Sequence, residues 1–323
     1  MRRSSALDIS AEQKFFDRRQ LATLVEMDSP EAVHREVCHI LTLITPSFDL
    51  KPIEKTFGFT LALYKGQLSE YRACNTNYHD LRHITDTYLA MARLLHGSRF
   101  GTEKFSDREI ALGLIGALLH DAGMIQKEYD TVGTGAKYTK EHVELSIDFV
   151  ATHAEILELS PFEVADLRDM ILCTDLMADI TAINFSSPTA GLLGKLLGTA
   201  DLIAQMADRT YLEKLLFLYH EFREAGIGSF RNELDFLHQT LKFFKSSTKR
   251  FQETLDNTSR YMTPHFRARW DIDENLYVLS LEKQQRFLKK ILANRDMSVY
   301  QAFKRDNLLE RLRRRFGYSP LDE

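Results

Sequence analysis

Residues 110–124 read IALGLIGALLHDAGM. Every residue from Ile110 to Leu119 is apolar or glycine, with no alternation of polar and apolar positions. Such a run suits a helix buried on all sides. It ends in His120-Asp121. Ionisable groups at the end of so apolar a helix tend to point into the interior or a cleft, where they need a partner or a metal. The competing reading has His120 complementing the helix dipole and Asp121 capping the next turn. A His-Asp pair alone does not decide between them.

The flanking sequence narrows the choice. Upstream, residues 77–91 read NYHDLRHITDTYLAM. On a helix opened by Thr76, His79 and His83 share one face, and Asp86 lies on it three residues on. Downstream, residues 192–212 read LLGKLLGTADLIAQMADRTYL, where Asp201 interrupts an apolar helix. A carboxylate there needs a cation, a hydrogen-bond donor or solvent. The bland alternative is a buried Asp satisfied by backbone or by a neighbouring arginine. His83, His120, Asp121 and Asp201 together offer two neutral imidazoles and two carboxylates. That set suits manganese, iron, cobalt, nickel or magnesium better than structural zinc. A divalent cation lowers the pKa of bound water and neutralises charge on a phosphoryl oxygen.

The rest of the 323-residue chain reads as helices throughout. It holds only 7 prolines and 15 glycines, so turn punctuation is sparse, and no repeat emerges. Helix starts are signalled by Ser10, Ser29-Pro30, Thr76, Asp107, Thr139 and Ser160-Pro161. Gly97 and Gly226 stand where helices should end. The spacing predicts helices at 11–27, 30–44, 53–70, 77–96, 107–121, 140–153, 161–175, 189–207, 210–225, 230–257, 273–294 and 298–316. Residues 124–138 form the clearest loop, overhanging the site, and 257–272 is the best candidate for a joint. The expected organisation is an N-terminal helical layer at 1–74, a core at 75–245 and a C-terminal helical extension at 246–323. The aromatic residues of 236–251, with Tyr211, Phe217, Tyr219 and Phe222, read as core packing.

With a net charge of -4, the chain lacks the basic balance of a nucleic-acid binder. The basic tail at 304–315 reads as a solvated helix face, with an anionic partner as the other reading. The three cysteines, Cys38, Cys74 and Cys173, form no CxxC pair, so a disulfide framework is not expected. The absence of a secretory leader and of any long apolar span leads to the expectation of a cytoplasmic protein with no membrane contact; an oligomer is compatible with it.

The order His, His-Asp, Asp on helices resembles the signature of the HD superfamily of metal-dependent phosphohydrolases. Tyr78-His79-Asp80-Leu81-Arg82-His83-Ile84-Thr85-Asp86 is similar to the Y-H-N-x-x-H-A-x-D of its cyclic-nucleotide phosphodiesterase branch and bacterial relatives. Ile171-Leu172-Cys173-Thr174-Asp175-Leu176 resembles I-L-x-T-D-M, and Thr199-Ala200-Asp201-Leu202 resembles C-A-D-L. The resemblance implies an all-α HD-domain bundle with additional helices at both ends. It implies that His83, His120, Asp121 and Asp201 ligate a first divalent metal, with Asp121 bridging to any second. His79 would be the general acid, a metal-bound hydroxide the nucleophile, and Asp86 the group that orients a histidine. Tyr78, Thr174, His142 and Lys140 join as candidate substrate contacts: His142, after the loop, could approach a second metal or the substrate phosphate, and Lys140, with Lys127 and Lys137, flanks the loop and could meet phosphate, although loop lysines are ordinarily just solvated. His142 reads equally well as a surface residue of a first helical turn.

Three departures stand out. Asp80 replaces the family's Asn. Met124 replaces the last histidine of H-D-x-x-H. Gln239 and Phe243-Phe244 occupy no recognisable purine-clamp context, so a cyclic-nucleotide substrate does not follow. The H-D-x-x-E-D and GYP patterns of other branches are missing. Two functions of different class remain. One is hydrolysis of a phosphomonoester or phosphodiester, of a nucleotide by preference. The other is a non-catalytic HD-scaffold module that binds a nucleotide or a protein partner. Metal analysis followed by a phosphate-release screen separates them.

Overall fold

The computed structural model describes residues 20–294, 302–303 and 305–316. Among these residues the regular structure is helical, with one isolated antiparallel bridge, Tyr71 to Lys127. The α-helices are α1 (Pro30–Ile44), α2 (Lys51–Tyr64), α3 (Leu81–Ser98), α4 (Asp107–Leu119), α5 (His142–Thr152), α6 (Pro161–Leu172), α7 (Pro188–Ala207), α8 (Tyr211–Glu224), α9 (Glu233–Lys249), α10 (Met262–Trp270), α11 (Leu276–Ala293) and α12 (Leu308–Phe316). The all-α expectation is met.

Helix α3 is the axis of the bundle. It is buried from His83 to Ser98 and packs against α1, α4, α7 and α10. Helix α4 is buried from Ile110 to Leu119 and lies against α2, α3, α6 and α7. A single apolar core runs through the molecule, from Val33 to Leu312. Burial on this scale is the main stabilising term.

Local chemistry sets several boundaries. Ser29 accepts the amide of Ala32 at 3.1 Å, and Ser106 and Ser160 form capping boxes with Glu109 and Glu163. Each such cap contributes about 1 kcal/mol. Gly226 ends its helix in the left-handed region, φ +62°.

Other expectations are corrected. Residues 20–27 carry only a 3-10 turn, Leu21–Thr23, and Leu21, Leu24 and Val25 pack irregularly on the core. Ser10 and the helix start it signalled lie outside the described residues, as does the start of 298–316. Asp80, not Thr76, caps α3, and Ser106, not Asp107, caps α4. Thr139 caps no helix; α5 begins at His142. Gly97 does not end α3. It lies inside it, where a Cβ would sit 1.7 Å from the Tyr261 carbonyl oxygen. The stretch expected as a joint, 257–272, contains α10, whose Met262, His265 and Phe266 are buried. The helix expected at 230–257 stops at Lys249. A π turn, Arg250–Thr254, follows, and the Arg250 guanidinium donates to the carbonyls of Cys173 (3.1 Å) and Asp175 (2.7 Å).

Candidate metal centre

Three elements bring four side chains to one point. His83 comes from the first turn of α3, Asp201 from the middle of α7, and His120-Asp121 from the end of α4. His83 Nε2 lies 3.3 Å from His120 Nε2, 3.3 Å from Asp121 Oδ2 and 3.2 Å from Asp201 Oδ1. His120 Nε2 lies 3.5 Å from each of the same two oxygens. His83, His120 and Asp121 are fully buried and have the spacing of a cation-binding group.

The protonation chemistry of the cluster fits a cation. His120 Nδ1 donates to the Ala117 carbonyl (3.0 Å), which turns the Nε2 lone pair toward the carboxylates. His142 repeats the arrangement: its Nδ1 donates to the Thr139 carbonyl (2.7 Å), and Nε2 faces Asp121 Oδ1 at 3.4 Å. A lone pair facing a carboxylate oxygen in a buried site is repulsive unless a positive charge lies between them. Asp121 Oδ2 is buried without a hydrogen-bond donor. Burial alone would lower the His83 pKa, but Asp121 and Asp201 reverse that and lift it to about 10. Burial opposes charge on Asp121 too, yet the surrounding imidazoles hold it well below the usual carboxylate range. A divalent cation would replace those protons as the source of positive charge.

A ring of polar contacts fixes the donors. Gln205, one turn beyond Asp201, donates to Asp201 Oδ1 (3.1 Å) and accepts the Tyr78 hydroxyl hydrogen (2.6 Å). His79 is not on α3, as its spacing suggested. It belongs to the turn before α3, because Asp80 accepts the His83 amide (3.0 Å) and starts the helix there. Glu221 of α8 holds that turn. One carboxylate oxygen accepts the amides of Asn77 and Tyr78, at 2.7 Å each, and the other accepts from His79 Nδ1 at 2.8 Å. The His79 ring lies 6.0 Å from that of His142 and 6.1 Å from that of His83. Burial disfavours charge on His79, but Glu221 and then Asp121 outweigh it, so its pKa is raised.

The remaining sequence candidates fall elsewhere. Asp86 does not reach a histidine: His83 Nδ1 has no partner, and the Asp86 carboxylate lies 3.9 Å from Arg82. It belongs to a second buried charged group in which Asp208 meets Lys214 (3.0 Å) and Arg82 (3.4 Å). Thr174 is buried, and its hydroxyl donates to the Ile171 carbonyl (2.8 Å). Lys140 is exposed. Neither hydrogen-bonds to the cluster. The sequence reading also missed Gln205 and Glu221. The i, i+4 spacing to Asp201 could have found Gln205. Nothing local marks Glu221.

The HD-CE family model matches residues 58–256. This chain belongs to the HD-CE family. The match establishes an HD-type domain and does not extend to the phosphodiesterase branch. All four donors of this HD-CE chain lie inside the matched segment, with His79, His142 and Glu221. No curated protein and no solved structure matches it. Among the described residues no helix is long and apolar enough to cross a membrane.

Proposed function

We propose that this HD-CE chain is a metal-dependent phosphohydrolase that cleaves a phosphomonoester or phosphodiester bond of a small substrate, a nucleotide by preference. The observation that carries the reading is the convergence of imidazole lone pairs and carboxylate oxygens within 3.2–3.5 Å in a buried site. His83, His120, Asp121 and Asp201 would hold the first divalent cation. Asp121 Oδ1 and His142 would serve a second. The cation supplies Lewis acidity toward a phosphoryl oxygen and acidifies water. Manganese, iron, cobalt, nickel or magnesium fits the donor set.

The protein's own groups do the rest. Gln205 and Tyr78 fix the Asp201 carboxylate. Glu221 orients the His79 ring and favours its protonated form, so His79 can hand a proton to the leaving oxygen. Burial keeps competing water out and strengthens each charge interaction. Elemental analysis of the purified protein with assays of phosphate and nitrophenol release tests the reading. It requires a tightly held divalent metal and a hydrolytic activity that disappear together on chelation and return on adding the metal. A metal-free wild type with unimpaired hydrolysis would exclude it.

A further inference from the structure

A second polar cleft lies on the far side of α3, among the segment 20–27, the end of α7 and α11. Its outer chamber has a volume of about 250 Å³. Arg209, Lys283 and Arg305 line it, with Phe287, Leu279 and Gln284 among the wall residues, and among the described residues no carboxylate does. Arg305 reaches the Arg209 carbonyl (2.7 Å), lies 5.6 Å from the centre of the Phe287 ring and is 4.0 Å from Glu213. A smaller chamber of about 30 Å³ adjoins it, sharing Leu21, Ala22, Ala207 and Arg209 as walls.

Arg93 lines the inner chamber and is 1% exposed. Its Nη1 donates to the Tyr277 hydroxyl (2.9 Å), while Nε and Nη2 are buried with no partner. Among the described residues it forms no ion pair. The carboxylates that share the chamber do not answer its charge: Asp208 is engaged by Lys214 and Arg82, and Asp86 lies nearest to Arg82. A buried guanidinium with two idle donors is costly unless an acceptor reaches it. Guanidinium and ammonium groups over an apolar wall suit phosphate borne on a small organic body.

We infer that this cleft is a second, non-catalytic binding site for a small phosphate-bearing anion, seated between Lys283 and Arg305 with Arg93 at its inner end. The site does not depend on the hydrolase reading, because none of these residues touches the metal cluster. Lys283 is exposed and can be changed without disturbing the core.

Calorimetric titration of the full chain with inorganic phosphate, a probe no hydrolase consumes, provides the test. Lys283→Glu should weaken phosphate binding at least tenfold, with Lys283→Ala between it and wild type. Hydrolysis of bis(p-nitrophenyl) phosphate without added phosphate should be unchanged in both. His83→Ala, with folding verified by its melting curve, should keep the same phosphate affinity at the cleft. Phosphate binding that vanishes in His83→Ala, or that is equal in Lys283→Glu and wild type, overturns the second site. Loss of hydrolysis in His83→Ala bears on the metal centre alone.

Discussion

Glu221 and His79 meet at 2.8 Å although 142 positions separate them in the chain. The same carboxylate also takes the amides of Asn77 and Tyr78, so one residue of α8 fixes both the ring and the turn that carries it. His79→Ala should slow hydrolysis by ~10²–10⁴-fold and leave the metal in place. Glu221→Gln, which keeps the shape and loses the charge, should cost on the order of 10-fold. The double variant should be little worse than His79→Ala, since both changes remove one device. All three losses should shrink on a nitrophenyl ester, whose leaving oxygen needs no proton. Equal losses on good and poor leaving groups would remove His79 from the acid role.

The metal cluster makes a separate prediction. Each of its four side chains is one of few donors, so Asp121→Ala and His83→Ala should both lose most of the metal. Gln205→Ala should do less: it frees the Asp201 carboxylate to rotate but removes no donor, and metal affinity should fall ~10-fold. Plasma emission analysis after dialysis measures this. Identical metal content in wild type and Asp121→Ala would show that the cation, if any, binds elsewhere.

These contrasts follow how much of the site could be read in the chain. His120, Asp121 and Asp201 were legible because each is an ionisable residue set into an apolar helix or at its end, an anomaly visible locally, whereas His83 was legible from its spacing to His79 and Asp86 and from the HD-type motif around it. Ser29 and Ser160 were legible because a cap acts within three residues. His79 lies beside the cluster, but not through the helical face that its spacing to His83 suggests. The helix was expected to include it, whereas Asp80 caps α3 after it and Glu221 holds it from α8. Asp86 failed for the converse reason. It sits one turn from His83, but its carboxylate faces Arg82 in the charged group behind α3, and only tertiary packing sets that direction. Glu221 looked like any polar residue of an amphipathic helix; its burial against residues 77–79 exists only once α8 has docked.

Asp86 gives a pH prediction. Burial, with Asp208 nearby, lifts its pKa from 3.8 to about 7, against the pull of Lys214 and Arg82. The folded state therefore binds a proton that the unfolded chain releases. This stabilisation is full below the unfolded value and is lost as pH rises to the folded one, at about 1.4 kcal/mol per unit, with no further loss above. Asp86→Asn lacks this dependence. The variant should thus gain melting temperature relative to wild type steadily from pH 5 to pH 7, and the difference should level off beyond. A difference constant across that range would mean Asp86 is ionised throughout.

The last prediction concerns Gly123, two residues beyond Asp121. A Cβ there would lie 2.2 Å from the His142 carbonyl oxygen, 2.7 Å from the Ser146 amide nitrogen and 2.7 Å from Leu145 Cβ. Two of these are backbone atoms of α5 and cannot rotate away, so Gly123→Ala must push α5 outward. The displacement should destabilise the protein by ~1–3 kcal/mol, seen as a melting temperature several degrees lower. It should also draw His142 away from Asp121 Oδ1, now 3.4 Å distant. Ser146→Ala separates the two effects. It deletes the hydrogen bond from the Gly123 amide (2.9 Å) without adding volume, so it should lower stability and spare activity. Gly123→Ala should lower both, while His83, His120 and Asp201, which do not ride on α5, keep the first cation. A Gly123→Ala protein with wild-type melting temperature and turnover would mean that α5 can shift without cost, and that the contact between His142 and Asp121 has no part in hydrolysis.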